Sequence, residues 1–132
     1  MIQREDVLVK STGIQIPAAT VFYAHATVAN LDPRRSCNIR IVVFQWNGEP
    51  KVLSDDEFNI PPLGFEEVFT RIAPNHYEVR IEVDSINCLT TVFGTDQTGT
   101  PQPGFTVLNS ELTPVDVPVN PEVLRKDRIE RR

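Results

Sequence analysis

The stretch His76-Tyr77-Glu78-Val79-Arg80-Ile81-Glu82-Val83-Asp84 decides the fold class. Tyr77, Val79, Ile81 and Val83 are apolar, and Glu78, Arg80, Glu82 and Asp84 between them are all charged. Successive side chains of a strand point to opposite faces, so this period of two describes a strand with one face in a core and one in water. The spacings of three and four that an amphipathic helix needs are missing.

The same grammar spreads outward. Thr20 to Leu31 places Phe22, Ala24, Ala26 and Val28 on one side. Asn38 to Trp46 is rich in the β-branched and aromatic residues that strands favour. Asn47-Gly48 follows at once and signals a hairpin, because both central residues of a type I′ turn need positive φ. A return strand is expected over residues 51–53, at a sheet edge or starting after Pro50, which cannot donate to a ladder. Phe58-Asn59-Ile60, Glu66 to Ile72, Leu89 to Phe93 and Phe105 to Leu112 are further candidate strands. Asp32-Pro33, Asp55-Asp56, Pro61-Pro62-Leu63-Gly64, Ala73-Pro74-Asn75 and a long loop from Gly94 to Gly104 punctuate them. Short strands separated in this way predict an all-β protein, a single antiparallel β-sandwich of jelly-roll or Ig-like type over residues 20–113.

The ends read differently. Residues 1–19 hold candidate strands at 7–9 and 14–16 and are expected to form an extended N-terminal arm or edge strands. Residues 114–132 form a Pro-punctuated basic C-terminal extension, its prolines favouring an extended chain. Asn120 then suits an N-cap, Pro121 the first helical position and the final arginines a helix C-terminus, which predicts a short C-terminal helix.

Composition narrows the function. The chain has 132 residues, 13 Lys+Arg against 18 Asp+Glu, a formal net charge of −5, 11 Pro, 2 Cys and 2 His. That is one domain, large enough to hold itself together without a structural metal. The acidic balance argues against a nucleic-acid partner. Residues 122–132 are net +2, leaving −7 on the rest, so the tail can meet the body of another copy as readily as phosphate. No stretch approaches the roughly 20 apolar residues of a membrane span, and no signal peptide is visible, so synthesis in the cytoplasm is expected.

The catalytic kit is thin. Cys37 and Cys88, 51 positions apart at the starts of expected strands, can form an internal disulfide or intermolecular bridges, or stand as two buried thiols. Buried thiols are the default. His25 and His76 have no Cys or Ser at a recognisable catalytic spacing and read as ordinary strand residues. Asp55-Asp56-Glu57, Glu66-Glu67 and Asp96-Gln97-Thr98-Gly99 read as solvated turn groups rather than paired catalytic acids or a calcium loop. No catalytic residue, metal ligand or cofactor site is expected, and the protein is read as not an enzyme. Among the aromatics, Tyr77 is in phase with the core, whereas Trp46, beside the Asn47-Gly48 turn, is the candidate ligand contact for a glycan or protein.

Three stretches carry a resemblance: Cys37-Asn38-Ile39-Arg40-Ile41-Val42-Val43-Phe44-Gln45-Trp46, His76 to Val83, and Thr91-Val92-Phe93-Gly94 with Val107-Leu108-Asn109-Ser110-Glu111-Leu112. From Thr20 to Thr113 the chain loosely resembles small β-sandwich proteins of spore-forming Firmicutes, including endospore-appendage subunits. The resemblance implies a jelly-roll subunit that polymerises by strand addition, with residues 1–19 as connector. Residues 1–19 contain no cysteine, so a disulfide-linked connector does not carry over. The expectation is a non-catalytic structural subunit that self-assembles through arms and sheet edges as a homo-oligomer or polymer, in a filament, ring or layer on a spore or cell surface. The alternative is a small binding module for glycan or protein ligands.

Overall fold

The structure, a computed structural model, describes residues 7–72 and 75–121. In chain order the elements are β1 (Leu8–Ser11), β2 (Tyr23–Asn30), β3 (Cys37–Asn47), β4 (Glu49–Ile60), β5 (Phe65–Arg71), β6 (His76–Val83), β7 (Cys88–Thr95), β8 (Pro101–Val107), a 3₁₀ turn (Asn109–Glu111) and β9 (Thr113–Val115). They form two antiparallel sheets packed face to face, a β-sandwich. Sheet A has the order β4-β3-β6-β1-β9 and sheet B the order β5-β2-β7-β8.

The alternating stretch becomes β6, at the centre of sheet A. It pairs with β3 in a register that sets Ile41 opposite Ile81 and Val43 opposite Val79. From sheet A, Ile39, Ile41, Val43, Tyr77, Val79 and Ile81 turn inward; Ala24, Ala26, Val28 and Val92 answer from sheet B. The hairpins β3–β4 and β7–β8 stay within a sheet, and every other connection, β1–β2, β2–β3, β4–β5, β5–β6, β6–β7 and β8–β9, crosses between sheets. Gly94 sits where no Cβ fits: one built there would lie 2.7 Å from Phe105 Cβ and 3.2 Å from the Tyr77 hydroxyl.

Several expectations need correction. Asp55-Asp56 does not separate two strands, because β4 runs unbroken from Glu49 to Ile60. Arg40 on β3 grips Asp55 with two hydrogen bonds of 2.8 and 2.6 Å, so the acid is held across the ladder instead of turning the chain into water. Pro50 does lie on an edge strand, opposite Trp46. At the hairpin only Gly48 has positive φ, at 90°, and Asn47 pairs directly with Glu49, so the turn is not a type I′ pair. The stretch from Gly94 to Gly104 is no long loop either. β7 runs to Thr95 and β8 starts at Pro101, and the Asp96 carboxylate closes the turn by accepting the amides of Thr98 and Thr100 at 2.9 Å each.

The ends are built into sheet A. β1 lies between β6 and β9, Thr12 N–H donates to the Val79 carbonyl, and Gln15 bridges Tyr77, so residues 8–15 pair with the body instead of extending from it as an arm. Residues 113–115 form β9 on the far edge, and Val119 and Asn120 are buried beyond it. The expected C-terminal helix falls mainly on residues 122–132, outside the described residues.

Candidate functional site

A sandwich acts through its outer faces, its edges or its loops, and here the two outer faces differ. On sheet A the outward residues Val42 and Phe44 are buried, because Val119 packs on them with Val9, Trp46 and Val52 around the margin. Glu78, whose position in the alternation predicts solvent, is only 5% exposed under the same cover. The difference arises because the covering segment lies some forty residues further along the chain, where local alternation cannot report it. The Glu78 carboxylate accepts from the Ser11 hydroxyl at 2.5 Å, the Trp46 indole N–H at 2.8 Å and Arg80 Nε at 2.8 Å. Arg80 in turn donates to the Pro118 carbonyl at 3.2 Å and lies 4.7 Å from the Phe44 ring centroid. Burial pushes the Glu78 carboxyl upward, but the three donors outweigh it and hold it below the ordinary glutamate value.

This closure settles where Trp46 lies. The candidate ligand contact is half-buried, packed beside Val42 and Phe44, with its N–H committed to Glu78. It offers no open platform. Cys37 and Cys88, expected by default as buried thiols, are joined in an internal disulfide with Cα atoms 6.6 Å apart. The bridge links the first residue of β3 in sheet A to the first residue of β7 in sheet B. Tyr77 is core, as its phase predicts, and burial alone pushes its phenol up to about 12. Asp55 is held below the ordinary aspartate value chiefly by Arg40, against some burial, with help from Asn120. Asp96-Gln97-Thr98-Gly99 is a turn, as read, with Asp96 held low first by the Thr98 hydroxyl. Among the described residues, no group of three or more His, Cys, Asp or Glu side chains is placed to hold a metal ion.

Among the described residues, no segment covers the outer face of sheet B in this way. Pairing sets His25 of β2 opposite both Phe69 of β5 and Phe93 of β7. The His25 and Phe69 rings are stacked, centroids 3.8 Å apart and planes within 10°, and Phe93 tilts against His25 at 5.9 Å. Glu67 fixes the imidazole from the neighbouring position on β5, Oε2 to Nε2 at 2.9 Å. Around this row Phe65 is 57% exposed, Phe69 51% and Leu89 39%. Glu66-Glu67, expected as turn charges, lie in β5, and His25 is a strand residue as read, though part of an aromatic row.

The sequence does hold a signal for this face. In Phe65-Glu66-Glu67-Val68-Phe69-Thr70-Arg71-Ile72, Phe65 and Phe69 share one strand phase while Val68 and Ile72 share the other. A strand apolar in both phases within an otherwise half-wet sandwich marks a contact on its outer side. Such a row can stack on rings and apolar surface, and the His25–Glu67 pair can exchange hydrogen bonds.

No protein-family model and no curated protein matches the chain. Among solved structures, the crystal structure of Thermotoga maritima 1070 aligns over 82% of this chain and 90% of that one, at 15% identity and a TM-score of 0.44. A likeness at this level carries no argument about what the chain does.

Proposed function

We propose that the chain is a non-catalytic structural subunit that self-assembles through the open side of sheet B, on a spore or cell surface in keeping with the resemblance above. The supporting observation is the exposure of Phe65, Phe69 and Leu89 on the outer side of sheet B, in a chain whose opposite outer face is closed by residues near Val119. Contiguous exposed apolar surface on a small domain marks an interaction site. Light scattering on the full chain is expected to give a mass above the 14.9 kDa of one copy. The double variant Phe65→Ser/Phe69→Ser is expected to reduce that mass to the monomer, whereas Trp46→Phe leaves it unchanged. A wild-type chain that stays monomeric at every accessible concentration overturns the proposal.

A second reading, a binding module for glycan or protein ligands, is favoured by the ring pair His25–Phe69 with Glu67 bonded beside it. Ring faces flanked by a hydrogen-bonding group suit the apolar face and hydroxyls of a sugar. A glycan array with wild type and Phe69→Ala decides it: binding lost in the variant supports this reading, and no binding by wild type overturns its sugar form.

A further inference from the structure

We infer that two copies pair through β5 about a two-fold axis at Phe69, joining two four-stranded B sheets into one continuous sheet; this inference rests on the self-association reading above. An edge strand offers unpaired N–H and C=O groups to another strand, and most proteins blunt their edges. Three of the four edges here are blunted. β8 carries Pro101 and Pro103, β9 has 3 residues, and β4 carries Pro50 and the acidic run Asp55-Asp56-Glu57. β5 differs: it has 7 residues and no proline, its charges Glu66, Glu67 and Arg71 are of both signs, it is outermost in sheet B, and it is paired on one side alone by β2 among the described residues.

The side chains of β5 are self-complementary. His25 covers one face of the Phe69 ring, and because β5 is outermost, the other ring face looks past the edge of the sheet. In an antiparallel pair with Phe69 opposite Phe69 of the second copy, that open face meets its equivalent, about 4.8 Å away at ordinary strand spacing. The row becomes His25–Phe69–Phe69–His25 across the axis. The same register sets Glu67 opposite Arg71 of the second copy, twice by symmetry, on the same face as the rings.

Neighbouring registers lose this match. An axis at Glu67 sets two carboxylates opposite each other, which destabilises a cross-strand pair. An axis at Val68 sets Phe69 against Glu67, and one at Thr70 sets Phe69 against Arg71. The axis at Phe69 alone joins ring to ring and acid to base. A two-fold contact uses the same patch on both copies and therefore closes at two, so any larger assembly is built from dimers through other surfaces.

Charge reversal in the full chain tests the register. Glu67→Arg and Arg71→Glu are each expected to weaken dimerisation by at least about tenfold, because each turns two attractive cross-strand pairs into repulsive ones. The double variant Glu67→Arg/Arg71→Glu restores the pairing and is expected to dimerise like wild type. Sedimentation reads the mass, and circular dichroism checks that each variant keeps its β spectrum. Phe69→Cys is expected to form a covalent dimer on a non-reducing gel, because a residue on the axis meets itself, and Phe65→Cys is not. Association that survives both single reversals, or is not rescued in a folded double variant, overturns the inference and leaves self-association standing. A wild-type monomer at all concentrations overturns both.

Discussion

Glu78 keeps its charge beneath the surface because three side-chain donors point at it. Ser11, Trp46 and Arg80 come from three separate strands, so the carboxylate ties β1, β3 and β6 together on the outer side of sheet A. Removing it leaves three donors without their acceptor. Glu78→Ala is expected to cost about 3–5 kcal/mol in urea unfolding, the usual penalty for breaking a buried charged pair from one side. The pH dependence has a definite sign. The folded carboxyl lies below its ordinary value of 4.5, so its stabilisation is fully present above that pH and is lost as pH falls through the lower folded value. Wild type therefore loses urea stability below pH 4.5, and Glu78→Gln is expected to lose less over the same range.

At the scale of elements, the segment after β9 matters most. Val119 is 5% exposed and rests on Val42 and Phe44, while Asn120 Nδ2 donates to Asp55 Oδ2 at 2.7 Å. This short stretch turns a wet sheet face into a second small core. Val119→Ala is expected to cost about 2 kcal/mol, from lost burial and the cavity left behind. Trp46, the single tryptophan, borders that core, so its fluorescence is expected to shift to the red in the same variant. β2, β3 and β6 are legible in the sequence because their residues alternate or are β-branched and aromatic, although burial keeps a clean period of two only in β2. β4 is not, because Asp55 looks like a turn residue until Arg40 is known to reach it diagonally from β3. Glu78 and Trp46 were misplaced for a related reason: local alternation specifies which way a side chain points, and a distant segment decides what lies there. The row on sheet B was written in the two phases of β5, but its meeting with His25 required the β2–β5 register.

Among the described residues one outer face is closed and one is open, and a covalent tie joins the two layers. The Cys37–Cys88 bridge spans 51 positions, a loop for which chain entropy gives about 4 kcal/mol of stabilisation. Cys37→Ala/Cys88→Ala is expected to unfold at a correspondingly lower urea concentration, and the oxidised wild type to lose much of that margin once reduced and unfolded. The bridge has another effect, on chain connectivity. It turns β3 to β6 into a closed covalent ring, with the amino-terminal and carboxy-terminal parts of the chain attached at the cysteines. One peptide cut inside that ring, for instance at the exposed corner Pro61-Pro62-Leu63, changes the ends of the chain without dividing the molecule. Such a nicked subunit would run as one species until a reductant is added and as two fragments afterwards.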